Sequence, residues 1–175
     1  MTDRVYNVLF LCTHNSARSV MAECLLNREG RKDGSGRFRA FSAGSQPSGR
    51  INPYVHDLLV RLGFPTADLR SKTWDEFASP DAPHMDFVFT VCDNAAGEVC
   101  PIWPGQPMTA HWGFPDPSSA QGTDAEKAAF TATVFGQIQR RIQAFVSLPI
   151  ASLDRLALKR RLDDMGRASA AEAAR

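Results

Sequence analysis

The stretch VYNVLFLCTHNSARSVMAECLLN, residues 5–27, changes periodicity once, and that change decides the fold. Val5 to Leu11 is short, mostly apolar and rich in β-formers, the pattern of a buried strand. From Arg18 to Asn27 apolar positions recur four apart, Met21 with Leu25 and Val20 with Cys24, which predicts a helix. Gly30 supplies its stop. The stretch is therefore strand, loop, helix. A thiol, Cys12, stands where the strand gives way, and a guanidinium, Arg18, where the helix begins.

The alternation continues downstream. FRAFSAG (Phe38 to Gly44) reads as a second strand. INPYVHDLLVRLGF reads as a second helix, with Pro53 suited to its first turn and Gly63 to its end. TWDEFAS predicts a short helix. MDFVFTVC (Met85 to Cys92) is a third strand, apolar as in parallel sheets covered on both faces. TAHWGF (Thr109 to Phe114) is a fourth. A long helix follows. Thr123 and Glu126 have capping-box spacing, Phe130, Val134, Ile138 and Ile142 form an apolar stripe, and Pro149 ends it. Strands alternating with helices predict an α/β fold with a four-stranded parallel sheet.

The bulk numbers restrict function. The 175 residues suit one domain with a sizeable core, and 43% hydrophobic with 22% charged residues is an ordinary globular balance. A net charge of +1 sets up no field that favours nucleic acid or a membrane surface. The N-terminal apolar run is too short to span a bilayer and no small-residue cleavage pattern follows it, so a cytoplasmic protein is expected. In that reducing setting Cys12, Cys24, Cys92 and Cys100 are read as reactive, buried or metal-bound rather than as structural disulfides. There is no Cys-x-x-Cys pair, and His56, His84 and His111 lack metal-like spacing, so no metal site is expected.

In an α/β sheet, ligands bind where strands end and helices begin. A loop entering a helix N-terminus turns backbone N–H groups inward, and the helix dipole adds positive potential, so the loop binds an oxyanion. Arg18 can clamp that oxyanion with paired hydrogen bonds, and the same field favours a thiolate at Cys12. The arrangement is a nucleophilic sulfur beneath a tetrahedral oxyanion. The alternative from the residues alone is a buried Cys12 and an Arg18 on a solvated helix face.

CTHNSARS after VLFL resembles the phosphate-binding loop of the low-molecular-weight protein tyrosine phosphatase superfamily, and FPDPSS (Phe114 to Ser119) resembles its late Asp-Pro segment. The resemblance covers about Val5 to Phe145. It implies three layers, with helices on both faces of the sheet. It implies that Cys12 is the nucleophile and that Thr13, His14, Asn15, Ser16, Ala17, Arg18 and Ser19 form the oxyanion cradle. Asn15 and Ser19 would brace the loop, and Asp116 would protonate the departing oxygen. His14 stands where the family often has glycine.

The superfamily contains phosphatases and a branch that reduces arsenate, and arsenate and phosphate share shape and charge. Reducing As(V) to As(III) takes two electrons, which two thiols supply by forming one disulfide. Cys92 ends the third expected strand, at the same sheet edge as Cys12, and the turn-rich DNAAGEV separates it from Cys100. VCDNAAGEVCP and HWGFPDP resemble the arsenate reductase branch. That resemblance implies attack by Cys12 on arsenate, a relay through Cys92 and Cys100, and an external thiol reductant, either thioredoxin or a glutaredoxin with a small thiol. No bound cofactor is implied. Ser118 and Ser119 replace the tyrosines usual in the phosphatases, and Ala17 replaces their second loop cysteine.

Residues 1–148 are thus read as a single catalytic domain. Residues 149–175 are read as a helical extension: a helix from Ser152 to Met165, a basic run Lys159 to Arg161 on a solvated face, and an alanine-rich end that frays. Cys24 is expected to be a packed core thiol, and Trp103 and Trp112 to be core residues. Glu23, Ser42 and Asp75 match positions that shape a cation site in some family reductases.

Overall fold

Strand β1 (Tyr6–Cys12) is central: it pairs in parallel with β2 (Phe38–Gly44) on one side and with β3 (Phe87–Thr90) on the other. β4 (Met108–His111) extends the sheet from β3, giving the order β2-β1-β3-β4. The structure is a computed structural model and describes residues 4–31, 36–92 and 103–173. The order reverses direction at β1, so the crevice beyond its carboxyl end is a topological switch point, where such sheets take ligands.

The pleat sorts the side chains of β1. Val8, Phe10 and Cys12 face a core built with helices α1 (Arg18–Glu29) and α4 (Asp124–Val146). Leu9 and Leu11 face the opposite side, with Val88, Met85, Trp103 and Phe77 of helix α3 (Asp75–Ala78). Phe145 of α4 packs edge-on to Phe87 and Phe89, with ring centroids 5.4 Å away in each case. Thr123 and Glu126 do form the capping box that starts α4. The buried stripe of α4 is Thr131, Val134, Phe135, Ile138, Ile142 and Phe145, while Phe130 is only partly buried. Helix α2 (Pro53–Arg61) packs on α4 and is capped by Asn52, whose side chain accepts from the Tyr54 and Val55 N–H groups.

Both sheet edges are occupied. The Asn27 amide pairs with the backbone of Ala40 on β2, donating to its carbonyl at 3.2 Å and accepting from its N–H at 2.9 Å. The side chain thereby stands in for a neighbouring strand. Helix α5 (Arg155–Ala173) lies along β4. It starts later than expected and runs on into the alanine-rich end, consistent with the high helix propensity of alanine. Lys159 lies at the rim of the solvated face: its side chain is 41% exposed, and its ammonium turns to the Thr109 carbonyl and to Asp163. Arg160 and Arg161 are exposed as expected.

Strand ends also differ from expectation. β3 stops at Thr90, so Cys92 lies two residues beyond the strand rather than ending it. β4 stops at His111, where the Trp112 ring turns into the core and stacks on Phe89 with centroids 4.0 Å apart. Among the described residues, no helix is long and apolar enough to cross a membrane.

Candidate active site

The loop from Cys12 to Arg18 is shaped by what its carbonyls bind. Thr13 O accepts from Gln46 N–H at 2.8 Å, His14 O from Ser48 N–H at 3.0 Å and from the Ser71 hydroxyl at 2.9 Å, and Ser16 O from Asn52 N–H at 2.9 Å. With those carbonyls held outward, the loop N–H groups are left for the concave side. Asn15 shows the sense of the turn, since its N–H donates to Cys12 Sγ at 3.2 Å. It adopts a left-handed φ of 48°, which asparagine tolerates. Gly44 closes the floor: a Cβ there would lie 2.5 Å from Thr13 O and 2.9 Å from Cys12 O. Only glycine lets β2 approach the loop so closely.

Asn15 is fully buried with its amide satisfied on three sides. It donates to Ser19 Oγ at 2.8 Å and to Ser42 Oγ at 3.0 Å, and accepts from the Lys72 N–H at 2.9 Å. Ser19 Oγ lies 2.9 Å from Cys12 Sγ. Because Ser19 already accepts from Asn15, its own hydrogen is free for the sulfur. Two donors, Asn15 N–H and Ser19 O–H, therefore converge on Cys12, which is 4% exposed. Such bonds strengthen when the sulfur is ionised.

Arg18 opens α1. Its Nη1 donates to the Phe114 carbonyl at 3.0 Å, and its Nη2 lies 3.7 Å from Asp116 Oδ2. Its Nε is buried without a hydrogen-bond partner among the described residues, a donor that a bound oxyanion would satisfy. Asp116 caps the turn Pro117–Ser119, accepting from Ser118 N–H at 2.9 Å, and its side chain is 43% exposed beside the mouth of the loop. Cys12, the loop N–H groups, Arg18 and the Asp116 carboxyl thus meet at one crevice. The fit for a tetrahedral oxyanion comes from donor chemistry and from the approach that Gly44 permits.

Beneath the loop lies a charged pair. Ser42 Oγ donates to Glu23 Oε1 at 2.8 Å, and Lys72 Nζ lies 3.8 Å from the same oxygen and 3.5 Å from Ser42 Oγ. Burial raises the Glu23 pKa above its ordinary value, against the opposing charge of Lys72. Burial likewise lowers that of Lys72, against the pull of Glu23. Glu23 and Ser42 were legible as neighbours of the loop, but Lys72 was not. Asp75 is not placed in this network; its backbone N–H donates to Thr73 Oγ1. The ammonium of Lys72 supplies the positive charge among Glu23, Ser42 and the loop.

The remaining cysteines separate. Cys92 is 2% exposed, with Sγ 3.6 Å from Thr13 Oγ1, against the loop that holds Cys12. Cys100 lies outside the described residues. Cys24 is packed in the core as expected, and burial, aided by the charge of Glu23, pushes its pKa up to about 12. His111 Nδ1 is 2.8 Å from Thr90 Oγ1. Among the described residues no three His, Cys, Asp or Glu side chains gather as metal ligands. Sequence reasoning missed Gln46, Ser48, Asn52, Ser71 and Lys72. The polar, turn-forming character of SQPSGRIN and RSKT marks these stretches as loops without singling out those residues.

Comparison with known proteins shows what the chain resembles as a whole. The chain is 38% identical over 138 residues to the arsenate reductase of Halalkalibacterium halodurans, covering 79% of this chain and 93% of that one. Among solved structures, the arsenate reductase of Archaeoglobus fulgidus superposes with a TM-score of 0.63 at 30% identity, covering 81% of this chain and 99% of its own. The thioredoxin-dependent arsenate reductase of Corynebacterium glutamicum superposes with a TM-score of 0.55 at 26% identity, covering 82% of this chain and 60% of its own. A family profile for low molecular weight phosphotyrosine protein phosphatases matches residues 7–159. By the extent of that match, the chain belongs to the low molecular weight phosphotyrosine protein phosphatase family.

Proposed function

We propose that this protein is an arsenate reductase, working through Cys12 and a thiol relay. The observation that carries the relay is Cys92 Sγ standing 3.6 Å from Thr13 Oγ1, against the loop that presents the nucleophile. Arsenate sits in the loop, held by its N–H groups and by Arg18. The Cys12 thiolate attacks arsenic; an S–As bond forms, an As–O bond breaks, and the oxygen leaves as water with a proton from Asp116. The Cys92 thiolate then attacks Cys12 Sγ. A disulfide forms, and the S–As electron pair stays on arsenic, which departs as arsenite. Arsenic gains two electrons and the two sulfurs lose them. Cys100 attacks Cys92, which frees Cys12, and thioredoxin or a glutaredoxin with a small thiol reduces the Cys92–Cys100 disulfide. The thioredoxin dependence of the C. glutamicum relative supports an external thiol donor. Residues 1–148 would carry the reacting groups as one domain, with the extension 149–175 packed onto its core.

Steady-state arsenate reduction with each donor tests the relay. Cys12→Ser and Cys92→Ser are expected to abolish turnover with all of them. Full activity of Cys92→Ser with any donor refutes it.

Hydrolysis of a phosphotyrosine is the second reading, since Cys12 and Asp116 suffice for it and the family profile carries that activity in its description. Ser118 and Ser119 stand where the resemblance puts the phosphatases' tyrosines, and Ser118 Oγ accepts from the Asn52 amide at 3.3 Å. Fast hydrolysis of a phosphotyrosine peptide, with no arsenite formed from arsenate, would decide for this reading.

A further inference from the structure

The family profile ends at Lys159, whereas α5 continues to Ala173, so most of this helix lies beyond the shared region. Leu158, Leu162 and Gly166 recur every fourth residue along it and are buried. Two contacts on one turn join it to the sheet. The Trp112 indole N–H donates to the Leu162 carbonyl at 3.0 Å, between fully buried residues. Gly166 backs onto β4 so closely that a Cβ would lie 2.1 Å from the His111 carbonyl oxygen and 3.4 Å from Trp112 Cδ1. A larger residue there forces helix and strand apart.

Trp112 starts the segment that carries the acid. Its N–H donates to Thr90 O at 2.7 Å, and the N–H of Phe114 donates to Val91 O at 3.2 Å. The Phe114 carbonyl accepts from Arg18, and Asp116 follows between Pro115 and Pro117, whose rings fix φ. The prolines stiffen the end of this segment, and the backbone bonds on either side of Gly113, at Trp112 and Phe114, carry a shift at Trp112 toward Asp116.

We infer that α5 is a positioning element for the reaction: through Leu162 and Gly166 it sets the Trp112–Asp116 segment against Arg18. This rests on Asp116 as the acid of the proposed reduction. Gly166→Ala and Trp112→Phe in the full chain test it by three readouts. These are arsenate turnover, the inorganic phosphate concentration that half-protects Cys12 from iodoacetamide, and hydrogen exchange of residues 108–118 against 10–22. A slight misplacement is expected to lower kcat about tenfold, with half-protection within about threefold, because the cradle itself is untouched. Exchange should accelerate in 108–118 and not in 10–22. Parental turnover with accelerated exchange, unchanged exchange in both variants, or phosphate protection lost in step with turnover each overturns the inference. Should Gly166→Ala not fold, Trp112→Phe decides alone, since it keeps an aromatic ring against Phe89 and deletes the indole donor together with the second ring. Parental turnover in Asp116→Asn overturns the acid assignment instead, and exchange then judges whether α5 holds the segment.

Discussion

Replacing Lys72 by methionine tests what the buried pair beneath the loop is for. Lys72 Nζ lies 3.8 Å from Glu23 Oε1, and the two side chains are 11% and 17% exposed. At an effective dielectric of about 20, such a pair attracts by about 4 kcal/mol before desolvation is counted. Lys72→Met removes that attraction and leaves Glu23 with the Ser42 hydroxyl. The cost has a ceiling, because the carboxyl can take up a proton. At about 1.36 kcal/mol per pH unit above its ordinary value of 4.5, protonation costs about 4 kcal/mol at about pH 7.5 and about 1.4 kcal/mol at about pH 5.5. The expected destabilisation is therefore about 2–4 kcal/mol at the higher pH and no more than about 1.5 kcal/mol at the lower. The sign follows from proton linkage. In the folded variant the Glu23 pKa is raised further, so between about 4.5 and that raised value the native state holds a proton that the unfolded chain has released. Stability then falls as pH rises through this window. Urea unfolding of the parent, Lys72→Met and Glu23→Gln/Lys72→Met at both pH values measures it. The double variant should recover at least half the loss, because burial dominates the shift of each partner. Its turnover should stay about tenfold below the parent, since the ammonium no longer braces Ser42 and, through it, Asn15. An equal loss at both pH values, or a double variant no more stable than the single one, refutes this reasoning.

Asn15→Ala deletes a buried amide with three partners and places alanine at a left-handed φ, so unfolding free energy should drop by about 3–4 kcal/mol in denaturant titration. Gly44→Ala should displace the loop, and phosphate should then no longer protect Cys12 from alkylation, while far-ultraviolet circular dichroism stays native. Asn52→Ala removes the α2 cap and should cost about 1 kcal/mol of stability, with most of the turnover retained because its backbone bond to Ser16 is kept.

Much of the scaffold was legible because local patterns carried it. β1 and α1 differ from expectation only at their ends, and the α4 capping box is a four-residue signal that needs no tertiary information. Strand ends were less legible. Trp112 and Phe114 still bond the carbonyls of Thr90 and Val91, so ladder-like pairing outlasts the regular strand, and burial of the Trp112 ring decides where β4 stops. Cys12 and Arg18 could be read from one strand–loop–helix unit. The groups that hold the loop carbonyls outward could not, because Gln46, Ser48 and Asn52 act there through backbone N–H groups that every residue but proline possesses. Lys72 reaches Glu23 from a distant loop, and nothing in RSKT distinguishes an inward ammonium from a solvated one.

Cys24 gives the core a further consequence. With its pKa pushed up to about 12, only about one thiol in 100,000 is ionised at neutral pH. Disulfide exchange proceeds through thiolates, so this fourth sulfur is kinetically silent toward an oxidised Cys12. In the proposed relay, Cys24 would stay out of the exchange without being removed from the core. Part of that silence comes from Glu23, whose charge disfavours a second anion beside it. The carboxylate that pairs with Lys72 under the Cys12 loop would thus also insulate the proposed relay from a short circuit through the core.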